Sequence, residues 1–542
     1  MGDPTSRAPA ESPASYALWQ ARDMGDLSGK SVPIAGTGVR LNGLRLRALP
    51  VWLVPAGVTL IVTLAGLDAA QPWRDELATW SAASRPVSGL LRLAGTIDAA
   101  TVPYYLLMHA WVAVAGDSVA ALRLPSALAM AAAAGLTAGL GQRLCDARVG
   151  TLAGLLFAVL PGTARYAQEA RPYALACALA VLSTLLLVDA LRRPGRSRWA
   201  AYAAATTALG LTHLIALTLL AAHAVAVLGT VTGPDRRQSD RPRPNQGRPG
   251  SHPAPPDPAR SDRWRAAWPW LAALVPVVLA VAPLALLSSG QRTRQLDWVD
   301  GSRPADLAAL PGGVAQSGVV GGVLVGLAAL GLVRAGRRMV LPASCVVLPV
   351  SLLFLAGLVV PLWVPRYLLF VVPFACLLAG GALASARLPG ALMVVVLAGL
   401  LGLPDQIALR RSHEWPRTAT VDYRGAARIV AAGHRAGDAV VYSPRDGWLF
   451  LDLGLRYHLG EQTPRDVLLV ADQEHRGDLW ATECERPAEC LAGTDRVWLV
   501  LAGHHRDPLT AVPAPKGAAL RANYHVAQIW PRPNLTIALL TR

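Results

Sequence analysis

The chain is poor in what a soluble protein of its length carries. Only 16% of its 542 residues are charged against 53% hydrophobic, and lysine is nearly absent. Mean hydropathy is +0.37. That balance excludes a string of water-soluble domains as the main architecture and points to lipid as the solvent. Motifs are missing too. There is no P-loop, no GxSxG, no HExxH and no paired CxxC, so nucleotide hydrolysis, serine hydrolysis and zinc chemistry lack their usual residues. Of six cysteines, only the pair in "CERPAEC", Cys484 and Cys490, stands together in a polar segment. Its spacing is wrong for a redox or zinc site and suits a small disulfide, provided the segment lies outside the cytoplasm. No apolar signal-peptide core precedes the first long apolar run, so that run is read as an uncleaved start-transfer helix. No inverted internal repeat of the transporter kind is visible.

A net charge of +16 would suggest a nucleic-acid partner in a soluble chain. Here the arginines fall mainly in short segments between apolar runs, where they set topology, and no nucleic-acid partner is implied. Eleven runs have the length or composition of spans: 49–67, 119–140, 150–163, 172–190, 199–211, 212–231, 266–287, 317–334, 339–361, 366–385 and 389–403. With residues 1–48 cytoplasmic and disordered, alternation places "QRLCDARVG", "LRRPGRSRW", residues 232–265, "RAGRRM" and "ASARLPG" inside, and each is arginine-rich. This holds only if "PYYLLMHAWVAVAG" does not cross; its fourteen or so residues suit an interfacial helix. The Pro-, Arg- and Gly-rich stretch 232–262 reads as a disordered cytoplasmic linker. From 404 to 542 hydropathy drops, and "DYRGAARIVAAGHRAGDAVVYSP", "RVWLVLAG" and "LTIALLTR" alternate helical and strand patterns. The expected fold is therefore mainly α: a polytopic bundle over 49–403, with a first external loop at 68–118, followed by an extracytoplasmic α/β domain.

Polar residues concentrate in outward-facing segments. In "QPWRDELATW", Pro72 suits the first turn of a helix, and Asp75 and Glu76 in its early turns would be favoured by the helix dipole. At the rim of an apolar cavity a carboxylate can also take a proton from an attacking hydroxyl. Neighbours on a helix diverge by about 100°, so the pair alone argues weakly for a metal; a divalent ion is compatible but not implied. In "RYAQEARPYAL", Arg171 stands before Pro172 and a helix start, where guanidinium and dipole both favour phosphate. A salt bridge of Glu169 with Arg165 or Arg171 is the structural alternative. His213 stands in "LTHLIAL", and "SSGQRTRQLDWVDGSR" brings Arg292 and Arg294. In "VPRYLLFVVP", Arg366 lies at the outer end of a span against the positive-inside trend.

These stretches, together with "DAATVPYYLLMHAWVAVAGDSVAALRLPSAL", resemble the bacterial relatives of the protein O-mannosyltransferases, membrane glycosyltransferases of the GT-C fold. The resemblance covers roughly 45–405 and is strongest over 67–190. It implies a hexose, with mannose the first candidate, carried on a polyprenyl monophosphate in the outer leaflet, and an acceptor hydroxyl on a glycan, lipid or protein. It assigns Asp75 as general base with Glu76 as its partner. Arg171, Arg292, Arg294 and Arg366 become the phosphate cradle, and Trp73, Tyr104, Glu169, Tyr173, His213 and Tyr367 the pocket wall. A transporter or flippase of lipid-linked sugars is the rival, and it predicts ionisable groups at the bilayer midplane.

Overall fold

Each apolar run folds as helix in the computed structural model, which describes residues 50–232, 261–413 and 420–542. The expected disordered segment 1–48 and nearly all of the linker 232–262 lie outside the described residues. The first run forms α1 (Leu53–Leu64); residues 68–118 then fold into α2 (Arg74–Ala83), α3 (Val87–Thr96) and α4 (Val102–Ala115). Next come α5 (Val119–Leu144), α6 (Ala147–Val159) with α7 (Pro161–Ala167) bent 67° from it, α8 (Tyr173–Arg192), α9 (Arg196–Thr212) and α10 (Leu219–Thr232). The second half holds α11 (Ser261–Gln295), α12 (Pro304–Ala315) and α13 (Gly318–Ala335) at 102° to each other, α14 (Val340–Gly357), α15 (Val372–Leu383) and α16 (Leu388–Arg411).

Among the described residues six helices are long and apolar enough to cross a membrane, or eight if each bent pair is one span. Two of the runs that fall short do so on length, α1 with 12 residues and α10 with 14, against the roughly 20 a straight crossing needs; α9 has 17 and is more polar besides, opening on Arg196 and Arg198. α15 is buried along its whole length, whereas α11 and α16 turn valines and leucines outward, as helices facing lipid do. The tightest crossing is at Gly331 of α13, where a Cβ would lie 1.8 Å from the Leu378 carbonyl oxygen of α15. Small residues let membrane helices approach this closely.

The bundle has two chemically different ends. At one, Arg143 pairs with Asp189, Arg192 donates to the Arg143 carbonyl, Arg148 to the Ala386 carbonyl and Arg334 to Ser385. Four of the five arginine-rich connections thus meet. The other end is the far end of α5, whose 26 residues span about 39 Å; there Arg123 engages the α2 region.

The predicted boundary at 404 falls too early. Pro404 does not stop α16, which runs to Arg411 because its polar last turns find carbonyls: Gln406 donates to Val159 (3.0 Å) and Arg410 to Val62 (2.9 Å). Beyond it α17 (Tyr423–Gly433), β1 (Ala439–Ser443), α18 (Leu451–Leu459), β2 (Arg465–Asp466), β3 (Leu469–Ala471), β4 (Thr482–Glu483), β5 (Arg496–Ala502), α19 (Lys516–Asn523), β6 (His525–Arg532) and β7 (Leu535–Thr541) make the expected α/β domain. Its sheet runs β2-β1-β5-β7-β6, parallel at β2-β1-β5 and antiparallel beyond, with a separate β3-β4 pair. Cys484 and Cys490 are joined by a disulfide. One hydrophobic core contains both Leu77, Leu90 and Tyr105 of α2–α4 and Val440, Trp498 and Ile537 of the sheet. This domain is therefore seated on the α2–α4 segment as part of one packed unit.

Candidate active site

The stretch "QPWRDELATW" does not begin its helix at Pro72. Trp73, extended at φ −97°, ψ 170°, is the cap, and its backbone N–H donates to the Glu76 carboxylate at 3.3 Å. Reach-back by an acidic side chain three positions on fixes such a helix start. The two carboxylates then diverge by about 100°. Glu76 turns inward and is 1% exposed. Arg123 grips it with both prongs, Nε to Oε1 at 2.8 Å and Nη2 to Oε2 at 2.7 Å, and the Ala170 N–H adds a fourth donor at 3.0 Å. The other Arg123 donors hold the carbonyls of Leu67 (2.8 Å) and Ala70 (2.9 Å). Burial alone would raise the Glu76 carboxyl; Arg123, with help from His413, outweighs it and holds the group well below the usual carboxylate range. Asp75 turns the other way, toward a cavity, with Oδ2 3.6 Å from Nη2 of Arg366. That is an ion pair but too long for a hydrogen bond.

The segment "RYAQEARPYAL" closes around this point. Arg165 pairs with Glu169 at 2.8 Å and donates to the His413 carbonyl at 2.8 Å. Burial pushes the Glu169 carboxyl up by more than Arg165 lowers it, and the charges of Asp75 and Glu76 add to the rise. Arg171 stands one residue before Pro172, the cap of α8, where a helix start favours anions. Its Nη1 donates to the Tyr105 hydroxyl at 3.2 Å, and its Nε is buried with no hydrogen-bond partner among the described residues. Tyr105 in turn donates to Asp98 at 2.5 Å, which also accepts from Thr101 (2.6 Å) and Gln295 (2.5 Å). Asp98 occupies the left-handed region at φ +61°, a conformation that Asp tolerates better than most residues.

Three cavities follow one another here. The middle chamber, ≈ 160 Å³, is walled by Asp75, Asp98, Arg171 and Arg366 on its polar side and by Trp448 and Phe450 of the C-terminal domain. Through Arg171, Gln295 and Tyr367 it adjoins a larger groove of ≈ 370 Å³ with Arg292, His213 and Tyr173 among apolar Leu214, Ile215 and Leu362. Through Trp298 and Arg366 it adjoins a third cavity of ≈ 150 Å³ that includes Trp73, Arg165 and His413. Arg366 also receives the Tyr173 hydroxyl as acceptor for its Nε at 3.1 Å and lies over the Trp298 ring at 5.3 Å. It marks the junction of the middle chamber with the third cavity, as Arg171 marks its junction with the groove.

Of the residues singled out from sequence, Asp75, Arg171, Arg366 and Tyr367 line the middle chamber, Arg292, Tyr173 and His213 the groove, and Trp73 the third cavity. Glu76, Tyr104, Glu169 and Arg294 line none of the three. Tyr104 is packed in the core shared by α2–α4 and the C-terminal sheet. Arg294 pairs instead with Asp478 of the C-terminal domain at 2.7 Å. Sequence reasoning missed Asp98, Arg123 and His413 as site components. A signal existed for Arg123, an ionisable residue inside an apolar run, which must find a partner. Asp98 is separated in sequence from everything it binds except Thr101 and Tyr105. Among the described residues no group of three or more His, Cys, Asp or Glu side chains is placed to hold a metal ion.

Residues 98–238 match the family described as dolichyl-phosphate-mannose-protein mannosyltransferase. No curated protein matches the chain by sequence. Among solved structures the chain is similar to the crystal structure of ArnT from Cupriavidus metallidurans bound to undecaprenyl phosphate, with TM-score 0.58 and 14% identity over 91% of this chain and 98% of that one. The apo form of the same protein gives TM-score 0.56 and 13% identity over 90% and 97%. At such identity the likeness is one of fold, and it is the GT-C fold that the sequence resembles.

Proposed function

We propose that the chain is a membrane glycosyltransferase that moves a hexose, with mannose the first candidate, from a polyprenyl monophosphate to an acceptor hydroxyl with inversion at the anomeric carbon. The observation that carries this is the juxtaposition of Asp75 and two arginines, Arg171 and Arg366, on one chamber that adjoins an apolar groove. The groove suits a lipid tail. Arg171 and Arg292 suit its phosphate, since guanidinium forks match phosphate oxygens, and the unpartnered Nε of Arg171 leaves a donor for one. The likeness to ArnT, which was crystallised with undecaprenyl phosphate, and the match of residues 98–238 to a dolichyl-phosphate-mannose family support the same donor class.

The reaction balances without a nucleotide. The acceptor oxygen forms the new bond to the anomeric carbon, its proton passes to Asp75, and the bond to the phosphate oxygen breaks. The lipid phosphate leaves with the electron pair, and the arginines stabilise its growing charge. Holding donor and acceptor in line supplies much of the remaining rate. Arg366, 3.6 Å from Asp75, orients the base from the third cavity's side, from which the acceptor approaches. Because the arginine-rich connections gather at the opposite end of the bundle, the positive-inside rule supports a site and C-terminal domain facing away from the cytoplasm.

Purified full-length protein supplied with radiolabelled polyprenyl-phosphate hexoses is expected to transfer the sugar or hydrolyse it slowly. Arg171→Gln is expected to weaken undecaprenyl phosphate binding. Binding without turnover of any donor, with movement of lipid-linked sugar across vesicles, would replace this reading with the transporter.

A further inference from the structure

We propose that the C-terminal domain forms the sugar-reading wall of the donor chamber, with Trp448, backed by Phe450 and Leu479, packing against one face of the sugar ring and so determining which sugar is transferred. This rests on the glycosyltransferase reading and deepens it.

The chamber is two-sided. Asp75, Asp98, Arg171, Gln295 and Arg366 supply hydrogen-bonding edges from the helical bundle and the α2–α4 segment, with Trp298 and Tyr367 between them, while what the C-terminal domain contributes, Trp448, Phe450 and Leu479, is apolar throughout. A pyranose is two-sided in the same sense, with hydroxyls at its rim and a patch of C–H groups on a face. Aromatic rings carry negative charge on their faces, which the polarised C–H groups of such a patch meet favourably. The row of cavities gives the order of ligands. Lipid and phosphate occupy the groove as far as Arg171, the sugar they carry lies next in the middle chamber, and the acceptor reaches Asp75 past Arg366 from the third cavity.

The wall is built to hold its place. Trp448 meets Trp480 edge-on at 4.8 Å, Phe450 stacks on Trp480 at 5.8 Å, and the Trp480 indole donates to the Gly447 carbonyl at 3.2 Å. Phe450 adopts φ +48°, a left-handed conformation that is an outlier for a bulky side chain and persists only where its surroundings enforce it. Two further contacts fix the segment that carries Leu479 and Trp480: Arg294 to the Asp478 carboxylate (2.7 Å) and Arg85 to the Asp478 carbonyl (2.8 Å). Trp448 remains half-buried at the chamber despite these neighbours, as a ligand-facing ring would.

The test uses the full-length protein with undecaprenyl phosphate carrying mannose, glucose or galactose, and with undecaprenyl phosphate alone. Trp448→Ala is expected to raise the KM for the preferred donor roughly tenfold and to level the preference among the three sugars, whose hydroxyls point differently from the ring faces. Binding of undecaprenyl phosphate alone should stay unchanged, and Trp448→Phe should restore most of the preference. An unaltered order of preference and donor KM in Trp448→Ala would overturn the proposal, as would a parallel loss of sugar-free lipid binding that Trp448→Phe shares. Wild-type protein inert toward every donor would instead overturn the glycosyltransferase reading.

Discussion

Two consecutive residues, Asp75 and Glu76, each face an arginine, and the two pairs could hardly differ more. Glu76 and Arg123 are dry, bidentate and 2.7 Å apart; Asp75 and Arg366 are 3.6 Å apart, with side chains 19% and 16% exposed on a cavity. A buried, fully hydrogen-bonded pair fixes a structure, since loss of one partner strands the other's charge. A loose pair at a cavity leaves a carboxylate free to take a proton. Two neighbours on one helical turn thus part ways: one locks α2 to α5 and to the segment before α8, and the other is left facing the chamber.

The sharpest way to break this comparison is to remove each charge and read both stability and turnover. Asp75→Asn is expected to lower transfer by about 10²–10⁴-fold with the unfolding midpoint unchanged; near-normal transfer would remove Asp75 as the base. Glu76→Ala is expected to do the reverse in kind. Stranding Arg123 should cost about 3–5 kcal/mol of stability, seen as a lowered Tm in detergent, and activity should fall only as folded protein is lost. A Glu76→Ala protein of normal Tm but dead in transfer would return Glu76 to the chemistry.

Acid should separate the pairs again. Glu76 is held below the ordinary carboxylate range, so its contribution is complete above that range and declines as pH falls through it. His413, 3.8 Å from Glu76, is held neutral: burial first, then Arg165 and Arg123, pull it down to about 3. An unfolded chain takes up that proton near pH 6.5, so stability falls as pH drops below about 6.5, by at most about 1.4 kcal/mol per unit for this one group. His413→Asn should flatten the slope between roughly pH 6 and 4.5. An equal slope in both proteins would show that His413 is protonated in the folded state.

What the sequence made legible follows from what its patterns record. Apolar runs marked the helices of the bundle other than α12 (Pro304–Ala315), because the solvent they meet is uniform and length decides. Asp75, Arg171 and Arg366 stood out because a charge beside an apolar run needs a reason. The division between Asp75 and Glu76 was hidden, since it depends on Arg123, 47 residues away. The aromatic wall was hidden for the same reason: Trp448 and Phe450 follow an ordinary strand, and only the seating of the sheet on α2–α4 brings them to the chamber.

Arg294 offers the finest test, because sequence and geometry assign it differently. The resemblance placed it in the phosphate cradle with Arg292, two positions away. In the structure Arg292 lines the groove, and Arg294 points to Asp478 at 2.7 Å and lies over the Trp480 ring at 5.5 Å. Its side chain is 44% exposed, and although Asp478 is only 2% exposed it keeps Arg476 at 3.4 Å, so loss of Arg294 does not strand the carboxylate. Arg294→Gln should therefore lower Tm slightly, leave undecaprenyl phosphate binding as it is, and loosen the preference among donor sugars through Trp480. Arg292→Gln should weaken lipid phosphate binding without touching that preference. If both variants lose phosphate binding alike, Arg294 leaves Asp478 when the donor arrives, and the seat of the C-terminal domain changes with the state of the groove.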